Sequence, residues 1–199
     1  MKSLQNKLYE GFYQNAGGIV CPTTKDELKN EIKIRLGRGQ YNLNDIDTSK
    51  ITDMSYLFHD SGYDLSRLDV SEWDTSKVED MTNMFAFCRE FNSDISRWNT
   101  SSVKSMSNMF RSCFKFNCDL SKWDVSKVDD MYGMFAFCEN FNCDLSKWNV
   151  SNVTVTMEMF TGCTNFSCDL SKWKVKKVKN MYYMFDDSGM KKLPRWYKG

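Results

Sequence analysis

The apolar positions of this chain recur in a fixed order. In Asp119–Cys143, "DLSKWDVSKVDDMYGMFAFCENFNC", Val128, Met131, Met134, Phe135 and Cys138 fall at i, i+3, i+6, i+7 and i+10. That spacing keeps all five on one face of a helix and predicts an amphipathic helix. Asp124 or Ser126 would cap its N-terminus, and Asp129 and Asp130 would sit in the first turn, where the helix dipole favours acids. Phe141 and Asn142 suit a turn that ends it. The preceding "LSKWDV" alternates, with Trp123 and Val125 inward and Lys122, Asp124 and Ser126 outward, and predicts a short strand.

The same unit returns with a period of 25 residues. Trp73, Trp98, Trp123, Trp148 and Trp173 hold it, as do Cys88, Cys113, Cys138 and Cys163, and Asp94, Asp119, Asp144 and Asp169. Met84-Phe85 recurs through Met184-Phe185. Whole motifs repeating so strictly predict a stacked repeat protein in which neighbours bury what one unit cannot. The fold class expected is α/β: a solenoid similar to a leucine-rich repeat, with L-x-x-W-x-V at Leu120, Trp123 and Val125 as its strand core. Parallel strands would stack roughly 4.8 Å apart and helices roughly 8–10 Å apart, and the inequality would curve the stack.

One continuous domain is expected, in three parts. Residues 1–45 form a helical N-terminal cap, 46–187 the solenoid and 188–199 a short basic C-terminal cap. The solenoid holds five full repeats from about Leu68 to Asp187, preceded by a partial one, "IDTSKITDMSYLF", with Ile46 in the tryptophan position. Within the first cap, Thr23–Leu36 carries an N-cap residue and Leu28, Ile32 and Leu36 at helical spacing. Leu4, Leu8 and Phe12 suggest a further helix, and "YNLNDID" reads as a strand. Pro194 stops the pattern.

Composition adds limits. A 199-residue chain with 41% hydrophobic and 15% aromatic residues builds a sizeable core. Two prolines and ten glycines argue against a linker-rich chain. The net charge of +1 does not point to nucleic acid or membrane, and no apolar run suggests a leader or a spanning helix. The default compartment is then the cytoplasm, where eight cysteines are expected as free thiols. A surface or secreted location would follow if the chain were trimmed or exported without a leader.

The motif "WDVSKVDDMYGMFAFCENFN" resembles the repeat of the BspA-like leucine-rich repeat family, in its branch first catalogued as a mycoplasma domain of unknown function. "NLNDIDTSKITDMSYLF" is similar to that family's first unit and "KKLPRWY" to its end. The resemblance covers about residues 20 to 198. It implies a surface or secreted interaction protein and no enzymatic activity. The chain departs from the pattern at Thr156, where Met81, Met106, Met131 and Met181 stand in the other repeats. It departs again at Cys118, Cys143 and Cys168, where similar repeats usually carry glycine or glutamine.

Candidate chemistry is sparse. The C-x4-C pairs Cys113/Cys118, Cys138/Cys143 and Cys163/Cys168 raise zinc and disulfide readings. Zinc would need four ligands, and the one histidine, His59, lies off the ladder. A pair spanning a turn, such as Cys113 and Cys118, would just reach a disulfide. Packing is the favoured reading: Cys88, Cys113, Cys138 and Cys163 form a structural core ladder with the five tryptophans. The Asp94 ladder suggests calcium less well than turn-setting bonds to nearby amides. Glycosylation triplets at Asn99, Asn149, Asn152 and Asn165 arise easily in a chain rich in Asn, Ser and Thr. No cofactor is expected, and no catalytic motif is present.

Surface patterning carries the functional expectation. Outward strand positions form two columns, Glu72, Arg97, Lys122, Lys147, Lys172 and Asp74, Asn99, Asp124, Asn149, Lys174. They make a candidate partner-binding ridge on a non-enzymatic, monomeric scaffold for protein–protein interaction. Phe87 and Phe137 fall off the apolar stripe and are weaker contact candidates. From Ser171 onward the chain is about +7, and the rest about −6. Lys176, Lys177, Lys179, Lys191, Lys192 and Arg195 therefore form a candidate basic patch. Nucleic-acid or polyanion binding there, helped by Trp173, Tyr182 and Trp196, is the alternative function.

Overall fold

The computed structural model describes residues 19–198. The proposed helix around Leu4, Leu8 and Phe12 lies outside them. Among the described residues one α-helix, α1, spans Lys25–Gly37. Thr24 caps it, its hydroxyl accepting from the Glu27 amide at 3.3 Å, while the Glu27 carboxylate accepts from the Thr23 amide at 2.7 Å. Leu28, Ile32 and Leu36 are buried against the first coil. Lys25 ties α1 to that coil through Asp53 at 2.7 Å and Ser55 at 2.9 Å.

The strand–helix repeat is not what forms. Among the described residues there is no β-strand, and besides α1 only a short 3-10 turn at Leu65–Arg67. The expected strand at "YNLNDID" is two isolated parallel bridges, Asn42 to Asp69 and Val20 to Ile46. Each 25-residue unit is instead a coil of consecutive turns. In the unit quoted above, the amides of Trp123, Val128, Met134, Ala136, Cys138 and Phe141 each bond the carbonyl three residues back, at 2.9 to 3.3 Å. The alternate amides leave the coil. Met131, Gly133, Phe135 and Phe137 donate to Val155, Met157, Met159 and Thr161 of the next coil at 2.7 to 3.0 Å. A parallel bridge marks this face in every coil, running Asp53, Asp80, Ser105, Asp130, Val155, Asn180.

Two features exclude a helix at Val128–Cys138. Its amides are shared with the next coil, so no i to i−4 ladder remains. Positive φ also recurs every four residues, at Gly133 (54°) and Phe137 (62°), with equivalents from Tyr56 and Asp60 to Tyr183 and Asp187. The apolar spacing contains a step of three taken twice, Val128, Met131, Met134 and then Phe135, Cys138, Phe141, all buried. Consecutive three-residue turns produce that step, and over ten residues it mimics a 3.6-residue period.

Close stacking holds the coils together. Phe85, Phe110, Phe135, Phe160 and Phe185 stack in one ladder at centroid spacings of 5.7 to 5.8 Å. Phe91, Phe116, Phe141 and Phe166 form a second at 5.7 to 5.9 Å. Within a coil the two rings lie about as close as packing allows, as for Phe110 and Phe116 at 4.0 Å. Trp73, Trp98 and Trp123 stack at 6.3 and 6.5 Å on the other side of the core. Spacing is thus nearly equal around the coil, and helices, which need roughly 8–10 Å, do not fit it. The expected inequality between a strand face and a helix face is absent.

The core ladders also close the polar accounts. Each indole donates to a carbonyl of the preceding coil: Trp73 to Leu43, Trp98 to Val70, Trp123 to Ile95, Trp148 to Leu120 and Trp173 to Leu145, at 2.9 to 3.1 Å. The thiols of Cys88, Cys113, Cys138 and Cys163 donate in the same way to Phe58, Phe85, Phe110 and Phe135, at 2.9 to 3.1 Å. A small apolar side chain with a weak donor suits a seat beneath a carbonyl. The C-terminal tail ends the stack: Trp196 lies 6.2 Å from Trp173 and donates to Leu170 O at 2.8 Å, and Tyr197 meets the Phe185 ring edge-on.

Candidate functional site

The exposed corner of each coil is built by two successive side-chain-to-backbone turns. Asp119 Oδ1 accepts from the Ser121 amide, and Asp124 Oδ1 from the Ser126 amide, both at 2.9 Å. Between them the Trp123 amide bonds Leu120 O at 3.0 Å. This path sends Leu120 and Trp123 inward and leaves Lys122 outside. The same construction recurs at Asp94, Asp144 and Asp169, which accept from Ser96, Ser146 and Ser171. Hydrogen bonds from the Ser126 hydroxyl and amide hold the Asp124 carboxyl below the usual range. Those from the Ser121 amide and hydroxyl do the same for Asp119.

All ten ridge residues are exposed. Their two columns differ in what else they do. Asp74, Asn99, Asp124 and Asn149 each bond the amide two residues on, so they set the turn as well as face solvent. Lys174 cannot, and Lys176 replaces the serine of the other corners. The first column is free of such duty; Glu72 and Arg97 form a loose pair at 3.9 Å. Beside it runs the Asp94, Asp119, Asp144, Asp169 column, whose carboxylates feel Arg97, Lys122, Lys147 and Lys172 respectively. Over the coils of Arg97, Lys122 and Lys147 the corner is therefore striped: acids, then cations, then acids and amides.

The six residues of the basic patch are exposed but do not converge on one cavity. Lys191, Lys192 and Arg195 line a cavity of about 720 Å³ closed on its other side by Ser167–Ser171, and Lys176, Lys177 and Lys179 are not on its wall. Lys177 is engaged with Asn152 Oδ1 at 2.7 Å. Two of the three aromatic groups expected to stack on bases are occupied: Trp173 is 4% exposed, and Trp196 stacks on it. Tyr182 is 62% exposed.

The cysteines divide into two ladders. Burial pushes the Cys88 and Cys163 thiols up to about 12, and lifts Cys113 and Cys138 well above the usual thiol range. Cys118, Cys143 and Cys168 lie at the corner, where their sulfurs accept the amides of Ile95, Leu120 and Leu145. All eight thiols are free. Among the described residues no three His, Cys, Asp or Glu side chains are placed to hold a metal ion.

Other surface groups were less visible in the sequence. Phe87 and Phe137 are exposed, at 46% and 39%, because each occupies a positive-φ turn position rather than the flank of a helix. His59 lies between Tyr56 and Phe87, with ring centroids at 5.3 and 5.5 Å. Arg111 reaches Glu158 at 2.9 Å and covers the Phe137 ring at 5.3 Å. Its only trace in the sequence is the break of the repeat at Gly133 and Glu158, where Asn83 and Asn108 stand in the earlier coils.

Fold and surface together define a repeat protein of stacked turn-built coils closed by a helix at one end and an aromatic tail at the other. The chain belongs to the family described as "Mycoplasma protein of unknown function, DUF285", whose model matches residues 37–139 and again 95–196. No curated protein and no solved structure matches the chain. Among the described residues no helix is long and apolar enough to cross a membrane.

Proposed function

We propose that the chain is a non-enzymatic scaffold that binds a protein partner through its striped corner. The observation that carries this reading is the column Arg97, Lys122, Lys147, Lys172, exposed on four consecutive coils, with Asp94, Asp119, Asp144 and Asp169 on one side and Asn99, Asp124, Asn149 and Lys174 on the other. The side chains beneath are buried and stacked from coil to coil, which supports a preformed surface. Exposed charge pairs contribute about 0–1 kcal/mol each, so recognition would come from register over several coils and would steer encounter more than it deepens affinity. The wider kinship we propose is with the BspA-like interaction proteins, on the motif "WDVSKVDDMYGMFAFCENFN".

Capture from host extract tests it, comparing the native chain with Lys122→Glu/Lys147→Glu. A protein retained by the first and lost by the second supports the ridge. Retention unaffected by the double variant overturns it. Polyanion binding through the basic end is the second reading, supported by six exposed cations near one end of the stack. It requires that the retained material be nucleic acid, that retention fall steeply with salt, and that it vanish in Lys176→Gln/Lys177→Gln/Lys179→Gln.

A further inference from the structure

Successive coils are joined at one rung by backbone hydrogen bonds in both directions. The amides of Glu79, Lys104, Asp129, Thr154 and Lys179 donate to the preceding coil at 2.7 to 2.9 Å. Two residues on from this position, the amides of Met54, Met81, Met106, Met131 and Thr156 donate to the following coil at 2.9 to 3.0 Å. The residue between carries a parallel bridge, so Asp80, Ser105, Asp130 and Val155 are paired on both sides. The end members, Asp53 and Asn180, are paired on one side only.

The two ends of this ladder are finished differently. At Asp53 the rung is closed by α1, whose Lys25 bonds the Asp53 carboxylate and the Ser55 hydroxyl. At Asn180 the tail covers the core and not the rung. Trp196 stacks on Trp173, Tyr197 lies against Phe185, and the Lys198 amide reaches Met181 Sδ at 3.4 Å. Among the described residues the Lys179 carbonyl and the Met181 and Tyr183 amides, whose equivalents in earlier coils all serve the next coil, have no partner. Lys179, Tyr182 and Tyr183 are exposed, and Asn180 and Met181 are half-buried, so this edge faces solvent. An open edge of this kind is a template for one more strand.

Charge decides which strand. The rung's side chains form the column Glu79, Lys104, Asp129, Thr154, Lys179, and they reach from coil to coil: Lys104 Nζ lies 2.7 Å from Glu79 Oε2. A residue set beside Lys179 stands in the same relation to it, and an acid fits. Lys172, Lys174, Lys176 and Lys177 make the rest of this coil basic. A second copy offers either the rung that α1 closes or another basic end, and lysines on an edge oppose such pairing. The coil's own acids, Asp186 and Asp187, lie past Phe185, whose ring Tyr197 meets.

We propose that the open rung at residues 179–183 takes up an extended acidic segment of a partner protein as one further rung. An amide of the segment donates to the Lys179 carbonyl, its carbonyls accept from the Met181 and Tyr183 amides, and a carboxylate pairs with Lys179. The surface is separate from the striped ridge.

Fluorescence anisotropy on the full chain tests this with a labelled ten-residue peptide of alternating glutamate and threonine. Saturable binding is expected, with amide exchange of Met181 and Tyr183 slowed at least tenfold and that of Tyr182, which already bonds Asn180 Oδ1, unchanged. Methylating the amides of the glutamates, or those of the threonines, removes the donor to Lys179 in one of two further peptides and should weaken that one at least tenfold. Lys179→Glu should weaken binding at least fivefold with thermal unfolding unchanged, and Lys122→Glu/Lys147→Glu should bind like the native chain. Any of four results overturns the proposal: no binding of the peptide, equal affinity of the parent and both methylated peptides, unchanged exchange at Met181 and Tyr183, or protection of those amides by oligothymidylate or self-association instead.

Discussion

Arg111 bonds Glu158 at 2.9 Å across an entire intervening coil, and the residue it passes over is Gly133. A Cβ at Gly133 would lie 2.9 Å from Arg111 Nη1 and 2.5 Å from Asn108 Oδ1. The bridge is about four-fifths buried at both ends, so it is less screened than a surface pair. Glycine at this position thus does two things: it takes φ of 54° without strain, and it leaves the path that lets three coils be clamped together.

Gly133→Ala is accordingly expected to destabilise the stack. The left-handed conformation alone costs an L-residue about 1–2 kcal/mol, and displacement of Asn108 and Arg111 adds to it. Urea unfolding should show a lower midpoint. An unchanged midpoint would mean that the coil relaxes around the methyl group and that the clamp is dispensable.

Thr156 stands where the preceding coils place the buried Met81, Met106 and Met131, and its hydroxyl is buried without a hydrogen-bond partner. Removing an unsatisfied buried group should recover part of a penalty of about 1–3 kcal/mol. Thr156→Val keeps the shape and deletes the hydroxyl, so its melting temperature should rise. A fall would show that the hydroxyl finds water in solution.

The thiols make a kinetic prediction. Cys88, Cys113, Cys138 and Cys163 are buried and their thiolates suppressed, so a thiolate-specific reagent at mildly alkaline pH should reach them only on unfolding. Cys118 and Cys168 at the corner are partly exposed, and should react earlier in the folded protein. Rapid labelling of the inner four in native buffer would contradict the packing described above.

Two kinds of carboxylate respond oppositely to pH. Asp124, Asp119 and Asp94 are held below the usual range by serine amides and hydroxyls. Their stabilising effect is complete above the unfolded value of about 3.9 and is lost as pH falls through the folded values, so acid should loosen the corners. Asp130 is raised, by burial first and then by Asp129 and Asp80, despite the Tyr132 amide it accepts. Its ionisation weakens the fold above the unfolded value, increasingly as pH rises through the raised one. Asp130→Asn keeps the turn, as Asn180 does in the last coil, and should stabilise the protein at neutral pH. That gain should fade as pH falls below the raised value. A gain independent of pH would place its cause elsewhere.

The period, the inward residues and the corner turns were legible in the amino-acid order. Tryptophan, phenylalanine and cysteine at intervals of 25 cannot all be exposed, and they are the residues that stack. Aspartate or asparagine two residues before serine is a local signal, and Asp94, Asp119 and Asp144 use it as such. The conformation of Val128–Cys138 was not legible, because a three-residue turn step and a helical period coincide over so short a run. The Arg111–Glu158 clamp joins residues 47 apart, which no local pattern reports.

The sequence by itself determined that this protein is a stack of equal units with an aromatic and thiol core, since side-chain volume and solubility belong to residues. Only the tertiary structure decided where the backbone amides go. An amide that can close a helix can equally serve the next coil, and the choice falls to spacing: rings that pack at 5.7 to 5.9 Å draw the coils closer than helices can lie.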